Sequence, residues 1–233
     1  MGKNLLITEK PSVAMEFAKA LNINTNRKNG YLESDKWIIT WCVGHLVTMS
    51  YPEKYDEDLK FWRLDTLPFI PKEWKYEIIS NVENQFNIIK SLLQREDIDI
   101  IYNAGDSGRE GEYIQRLVLM MAKPNPKAEL KRVWIDSQTE EEIKRGINEA
   151  KPMSEYDSLS DSAYLRAKED YLIGINFSRM LSIIYGRRLA KEINEEKASI
   201  SVGRVMTCVL GMIVETEREI TNFVNVPFYK TIR

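Results

Sequence analysis

Residues 101–113 read I-Y-N-A-G-D-S-G-R-E-G-E-Y, crowding the carboxylates of Asp106, Glu110 and Glu112 around Arg109. Clustered carboxylates repel one another and normally need a cation. An all-oxygen donor set points to Mg²⁺, which takes one or two carboxylates and keeps waters for a phosphate. A second acid–cation pair, Glu9-Lys10, follows the apolar run N-L-L-I-T at residues 4–8. Lys10 and Arg109 add positive charge able to hold a phosphate. Carboxylates, a divalent cation and basic side chains are the equipment of phosphoryl transfer. The plainer alternative is that acids in a first helical turn only complement the helix dipole. Asp106 and Glu110 alone form a weak pattern, and it is Glu9-Lys10 at a second strand end that favours a site.

These residues need elements to carry them. Residues 4–8 read as a buried strand, and Pro11 starts a helix to Leu21, since its missing N–H is an orphan at that position anyway. Residues 31–43 read as two strands turning at Ser34-Asp35-Lys36. Residues 50–75, with several prolines and aromatics and no period, read as a long ordered connection. A helix follows over 82–95, a strand over 98–104, a helix over 109–121, a strand over 130–135 and a helix over 139–149. Thr139 and Glu142 form a candidate capping box. Strand–helix alternation argues an α/β fold with a parallel sheet over residues 1–152. The chain then becomes helical: a helix of about 25 residues ending near Tyr185 at Gly186-Arg187-Arg188, and a second over 201–219. Residues 227–233 alternate like a strand. The expected organisation is therefore 1–152, 153–222 and a start of something further at 223–233.

Composition excludes several classes. At 43% hydrophobic and 29% charged, the chain is globular, and no apolar run reaches the roughly 20 residues of a membrane span. Cys42, Cys208 and the single His45 cannot make a structural zinc site. Two isolated cysteines read as buried small hydrophobes in a cytoplasmic context. The net charge of −2 gives no bulk drive toward nucleic acid, so DNA would need a local basic surface.

The motifs T-E-K-P-S (8–12), W-C-V-G-H-L (41–46), G-D-S-G-R-E-G-E (105–112), L-R-A-K-E-D-Y-L-I-G-I-N-F-S-R (165–179) and S-V-G-R-V-M-T-C-V-L-G-M-I-V-E (201–215) together resemble a type IA DNA topoisomerase, of the topoisomerase III type. The resemblance implies a TOPRIM domain, a Rossmann-like parallel sheet, followed by helices lining a groove for single-stranded DNA. It implies Mg²⁺ as cofactor, a nucleoid-associated location, and a helicase as a candidate partner. It also implies cleavage through a tyrosine, strand passage and resealing. Glu9 matches the acid beside the scissile phosphate and Lys10 a lysine stabilising the transition state, while Glu9, Asp106 and Glu110 match the metal-site acids. Arg166 and Asp170 match a helical pair facing the groove, and Ser201 and Arg204 match a segment that touches the strand. His45 and Arg109 are further candidates for DNA contact.

The sequence departs from the family pattern at three positions. Gly108 stands at the middle acid, Met206 at a glutamine and Cys208 at a proline. One missing carboxylate predicts looser Mg²⁺, with Glu112 or water as a substitute. No tyrosine lies in the family's nucleophile motif, Tyr229 included, so these 233 residues are expected to bind DNA without cleaving it. Two other readings stand beside this one: a nuclease- or primase-type TOPRIM enzyme, or a DNA-binding module without catalysis.

Overall fold

A computed structural model of the chain describes residues 2–24 and 26–229. The first strand, β1 (Lys3–Thr8), feeds helix α1 (Pro11–Ala20). Two short strands, β2 (Asn26–Lys28) and β3 (Tyr31–Glu33), lead into β4 (Trp37–Trp41). After β5 (Val47–Met49) and a stretch of 3₁₀ turns comes β6 (Tyr76–Ile78), then α2 (Glu83–Leu93), β7 (Ile98–Ala104) and α3 (Arg109–Ala122). β8 (Glu129–Arg132), α4 (Glu140–Asn148) and β9 (Lys151–Pro152) complete the set before two long helices, α5 (Asp157–Glu192) and α6 (Arg204–Thr221).

The chain divides into two compact units: residues 1–55 with 72–167, and residues 56–71 with 168–233. This differs from the boundary expected at 152. The aromatic connection belongs with the helices, and the first turns of α5 belong with the sheet.

The first unit holds a seven-stranded sheet in the order β2-β3-β4-β1-β7-β8-β9, with β4, β1, β7 and β8 parallel. Its central strands are apolar on both faces because both faces are covered. Leu5, Ile7, Ile38 and Ile101 pack with α2 and α3, through Phe86, Ile89, Ile114 and Leu117. The alternate residues Leu6, Ile39 and Tyr102 pack on the other face with Phe17 of α1 and Ile143 of α4. Each fully buried side chain of this kind contributes about 1.5–3 kcal/mol. β5 and β6 form a separate antiparallel pair.

In the second unit, α5 grips residues 56–71. The Asn176 amide accepts from Phe69 N at 2.6 Å and donates to Phe69 O at 2.9 Å, and Arg179 donates to Leu59 O at 2.7 Å while lying over the Trp62 ring. Residues 198–202 run along a line of small residues on α5. Ser182 Oγ accepts from Ile200 N and Ser178 Oγ accepts from Val202 N, each at 2.8 Å. A Cβ on Gly186 would stand 2.6 Å from Ala198 O.

That contact corrects one expectation. Gly186 does not end the helix; α5 runs through it to Glu192, and the glycine lets the 198 carbonyl come close. β8 also ends earlier than expected, at Arg132, because Ser107 Oγ takes over Ile135, accepting from its N–H at 3.0 Å and donating to its carbonyl at 2.7 Å. The capping box is absent. Thr139 makes no side-chain cap bond, and Glu142 accepts from Asp136 N while pairing with Arg145, which holds its carboxyl down at about 2. Residues 223–229 carry no regular structure, and the remainder of the strand expected at 227–233 lies outside the described residues. No helix among the described residues is long and apolar enough to cross a membrane.

Candidate functional site

β1 and β7 are neighbours in parallel register, with Thr8 opposite Ala104, so the residues that follow them leave the sheet at one edge. From β1 the chain turns through α1 toward β4; from β7 it turns through α3 toward β8, on the opposite face. The strand order thus reverses between β1 and β7. In open α/β sheets this reversal opens a crevice where ligands bind. Glu9 and Asp106 stand on its two sides.

The two acids meet there. Asp106 N donates to Glu9 Oε2 at 3.3 Å, and Lys10 Nζ lies 3.4 Å from Glu9 Oε1. The Glu9 side chain is only 13% exposed, whereas that of Lys10 is 58% exposed. Burial raises the Glu9 pKa above the ordinary carboxylate value, and a hydrogen bond to the Asp106 side chain and the Asp106 charge raise it further; Lys10 opposes the shift. The Glu9 carboxylate lies against the Asp106 backbone, and two carboxylates on adjoining turns can share a proton or a cation.

The loop between them is shaped by backbone proximity. A Cβ on Gly111 would stand 2.3 Å from Asp106 O, so the Asp106 peptide lies against the first turn of α3 only because residue 111 is glycine. Gly108 is different: a Cβ there meets nothing within 4 Å.

Glu110 and Glu112 part company on α3. Glu110, 75% exposed, places Oε1 2.7 Å from His45 Nε2. It is thus engaged with His45 and does not join the Glu9–Asp106 pair. Glu112 is fully buried and accepts from Arg116 Nε at 2.7 Å and Arg132 Nε at 2.8 Å. This corrects its expected role as a substitute metal ligand: both its oxygens are spent on guanidinium groups in the interior. Arg109, first residue of α3, is exposed.

Among the described residues, no three His, Cys, Asp or Glu side chains converge on one point as a metal cage. Mg²⁺ does not need one, because it commonly binds through one or two carboxylates and retains its waters. The donor chemistry of Glu9 and Asp106 fits that kind of site.

In the second unit, Arg204 binds Asp170 with two parallel bonds, Nε to Oδ1 at 3.0 Å and Nη2 to Oδ2 at 3.1 Å. Asp170 raises the Arg204 pKa further. The sequence paired Asp170 with Arg166 four residues back; the tertiary structure gives it Arg204. Arg166 and Ser201 are exposed. Ser201 turns outward because its neighbours Ile200 and Val202 bind α5 through their amides.

Sequence reasoning missed Arg132, fully buried at the end of β8, which donates to Gly105 O, Asp106 O and Glu112. The available signal was an arginine at the head of R-V-W-I in an inner strand, where a buried charge demands a carboxylate. It also missed Gln115, whose Nε2 donates to Ile7 O at 3.3 Å.

Comparison with known proteins bears on the fold and the family. The Toprim domain family matches residues 4–137, and the DNA topoisomerase family matches residues 154–233. The DNA topoisomerase 3 of Bacillus subtilis (strain 168) is 40% identical over 229 residues, and that of Bacillus licheniformis 39%. These matches cover 98% of this chain but 30% of each relative, so the chain spans under a third of their length. The full-length topoisomerase I of Thermotoga maritima superposes with a TM-score of 0.61 at 18% identity, over 94% of this chain and 31% of that one, a likeness of fold. With a Toprim match over more than half its residues, built on the sheet whose edge carries Glu9 and Asp106, the chain belongs to the Toprim family and continues into a DNA topoisomerase segment.

Proposed function

We propose that the chain forms the Mg²⁺- and DNA-binding part of a type IA topoisomerase of the topoisomerase III kind, which opens, passes and reseals single DNA strands. The observation that carries this reading is the meeting of Glu9 and Asp106 at the switch point, with Lys10 exposed beside them. Mg²⁺ held by these carboxylates supplies positive charge to a DNA phosphate. Lys10 is free to swing its ammonium toward the same phosphate, where charge develops. In the metal-free chain burial raises the Glu9 pKa, so when Asp106 alone holds the metal Glu9 suits a group that gives a proton to a leaving 3′-oxygen. Glu110 would serve the metal if it gave up its contact with His45, and His45 and Arg109 would bind DNA.

In the second unit, Asp170, Ser201 and Arg204 are the proposed strand contacts, and Arg166, which belongs to the first unit, is a separate one. Arg204 binds a phosphate in place of Asp170, since a guanidinium grips carboxylate and phosphate with the same fork. A helicase partner and a nucleoid location follow from the family reading. The test is binding of single-stranded oligonucleotide to the 233-residue polypeptide with and without Mg²⁺, followed by denaturing electrophoresis. Mg²⁺-enhanced binding with no denaturant-stable adduct is expected. A covalent adduct would refute the assignment of cleavage to a tyrosine outside these residues.

A second reading, a DNA-binding module without metal chemistry, draws on Gly108 and on the engagement of Glu110 by His45. DNA binding that is indifferent to Mg²⁺ would favour it.

A further inference from the structure

The Asp106 carboxylate rides on the short loop between β7 and α3, so its position depends on how that loop's carbonyls are held. Arg132 holds them. Its side chain is fully buried and donates from Nη1 to Gly105 O at 2.8 Å, from Nη2 to Asp106 O at 2.7 Å and from Nε to Glu112 Oε2 at 2.8 Å. One planar fork therefore pins two consecutive peptide carbonyls of the loop, while Glu112 fixes the plane of the fork. A lysine carries its donors on one nitrogen and cannot span these acceptors.

A buried ion pair is a poor device for stability alone, because removing both charges from water offsets most of their attraction. Its geometry is what an apolar side chain could not replace. Arg116 makes the comparison internal. It binds the other oxygen of Glu112 but reaches Met153 O at 2.6 Å and Asp157 at 2.9 Å, and not the loop.

We propose that Arg132, oriented by Glu112, is a positioning residue that sets Asp106 for Mg²⁺. The proposal rests on the reading of Glu9 and Asp106 as the Mg²⁺ site. The test measures Mg²⁺ affinity by titration calorimetry, together with melting temperature, for the 233-residue chain and its Arg132→Lys, Arg116→Gln and Asp106→Asn variants. Asp106→Asn should abolish binding. Arg132→Lys should weaken Mg²⁺ at least tenfold, whereas Arg116→Gln, which also strips a partner from Glu112, should lower the melting temperature and keep the wild-type affinity.

A wild-type chain that binds no Mg²⁺ removes the site reading and this inference with it. If the wild type binds, unchanged affinity in folded Arg132→Lys overturns the inference alone. So does an equal loss in Arg116→Gln, which would mark a general effect of destabilisation. Should Arg132→Lys fail to fold, the wild-type chain still decides. The Arg132 guanidinium proton resonances should shift during an Mg²⁺ titration with the same midpoint as the Asp106 amide, and resonances unmoved at saturation overturn the inference.

Discussion

Replacing Gly108 by aspartate restores the acid at the middle of the family pattern, and the structure says whether the side chain can be received. Gly108 has φ 177° and ψ 176°, extended backbone that any residue adopts. A Cβ there has no neighbour within 4 Å, so the substitution meets neither strain nor collision. The position is the N-cap of α3, which makes no side-chain cap bond. The new carboxylate therefore has two employments. As a cap it adds a few tenths of a kcal/mol over glycine. As a ligand it faces a divalent cation: at about 4 Å in a water-like dielectric that attraction is roughly 2 kcal/mol, and several times more at an effective dielectric of about 20. Repulsion from Glu9 and Asp106, roughly 1 kcal/mol each at the same distance in water, destabilises the metal-free chain and opposes the capping gain there. A net gain of about 1–3 kcal/mol, or roughly 5- to 150-fold in affinity, is expected. Calorimetric Mg²⁺ titration of Gly108→Asp and wild type at two salt concentrations measures it, and the gain should shrink with salt. The melting temperature separates the two employments, since a ligand raises it with the logarithm of free Mg²⁺ above the Kd, whereas a cap raises it without Mg²⁺. An unchanged Mg²⁺ affinity with a higher metal-free melting temperature would mean that the carboxylate only caps the helix and that the metal site lies elsewhere.

Three further outcomes follow from particular contacts. Gly186→Ala should destabilise the chain by about 1–3 kcal/mol in urea unfolding, because its Cβ would overlap Ala198 O; a helix-interior glycine with open space around it would instead be improved by alanine, by up to about 1 kcal/mol. Asp170→Asn should tighten single-stranded oligonucleotide binding up to about fivefold in fluorescence anisotropy, since an exposed ion pair of at most about 1 kcal/mol no longer competes for Arg204. Weaker binding would show that Asp170 orients Arg204 for the strand. Stability should fall as pH rises above about 9: burial pushes the Cys42 thiol and the Tyr164 hydroxyl up to about 12 and raises Tyr113 as well, from ordinary values of 9.0 and 10.0. The unfolded chain then loses these protons first, so the folded state binds more protons and loses stability with rising pH. Melting temperatures from pH 8 to 11 should show the decline, with a shallower slope in Cys42→Ala. A flat profile would contradict the burial of these groups.

Local signals carried much of the architecture. The apolar runs at 4–8 and 98–104 became β1 and β7, and the stripe Ile114, Leu117, Val118 became the inner face of α3, because burial on both faces of a parallel sheet selects such runs. Glu9, Asp106 and Glu110 could be singled out because acids at strand ends in an α/β chain gather at one edge. What each acid does there was not legible. Periodicity places Glu110 and Glu112 on the same helix two residues apart, and says nothing of what stands opposite. Glu110 faces His45 from the segment after β4, while Glu112 faces Arg132 from β8, and these partners are brought in by sheet order alone.

The glycines divide in the same way. Gly105, Gly108, Gly111 and Gly186 look alike in sequence. Gly111 is required by the nearby Asp106 carbonyl and Gly186 by the Ala198 carbonyl of the segment after α5, while a Cβ on Gly108 meets nothing within 4 Å. The amino-acid sequence by itself determined most strands and helices of the sheet unit and offered residue types suited to Mg²⁺ and phosphate, since those follow from short-range pattern and side-chain chemistry. The tertiary structure decided which carboxylates meet, which arginine holds the loop between them, and that Arg204 rather than Arg166 is Asp170's partner, because the contacts involved join segments that only folding brings together.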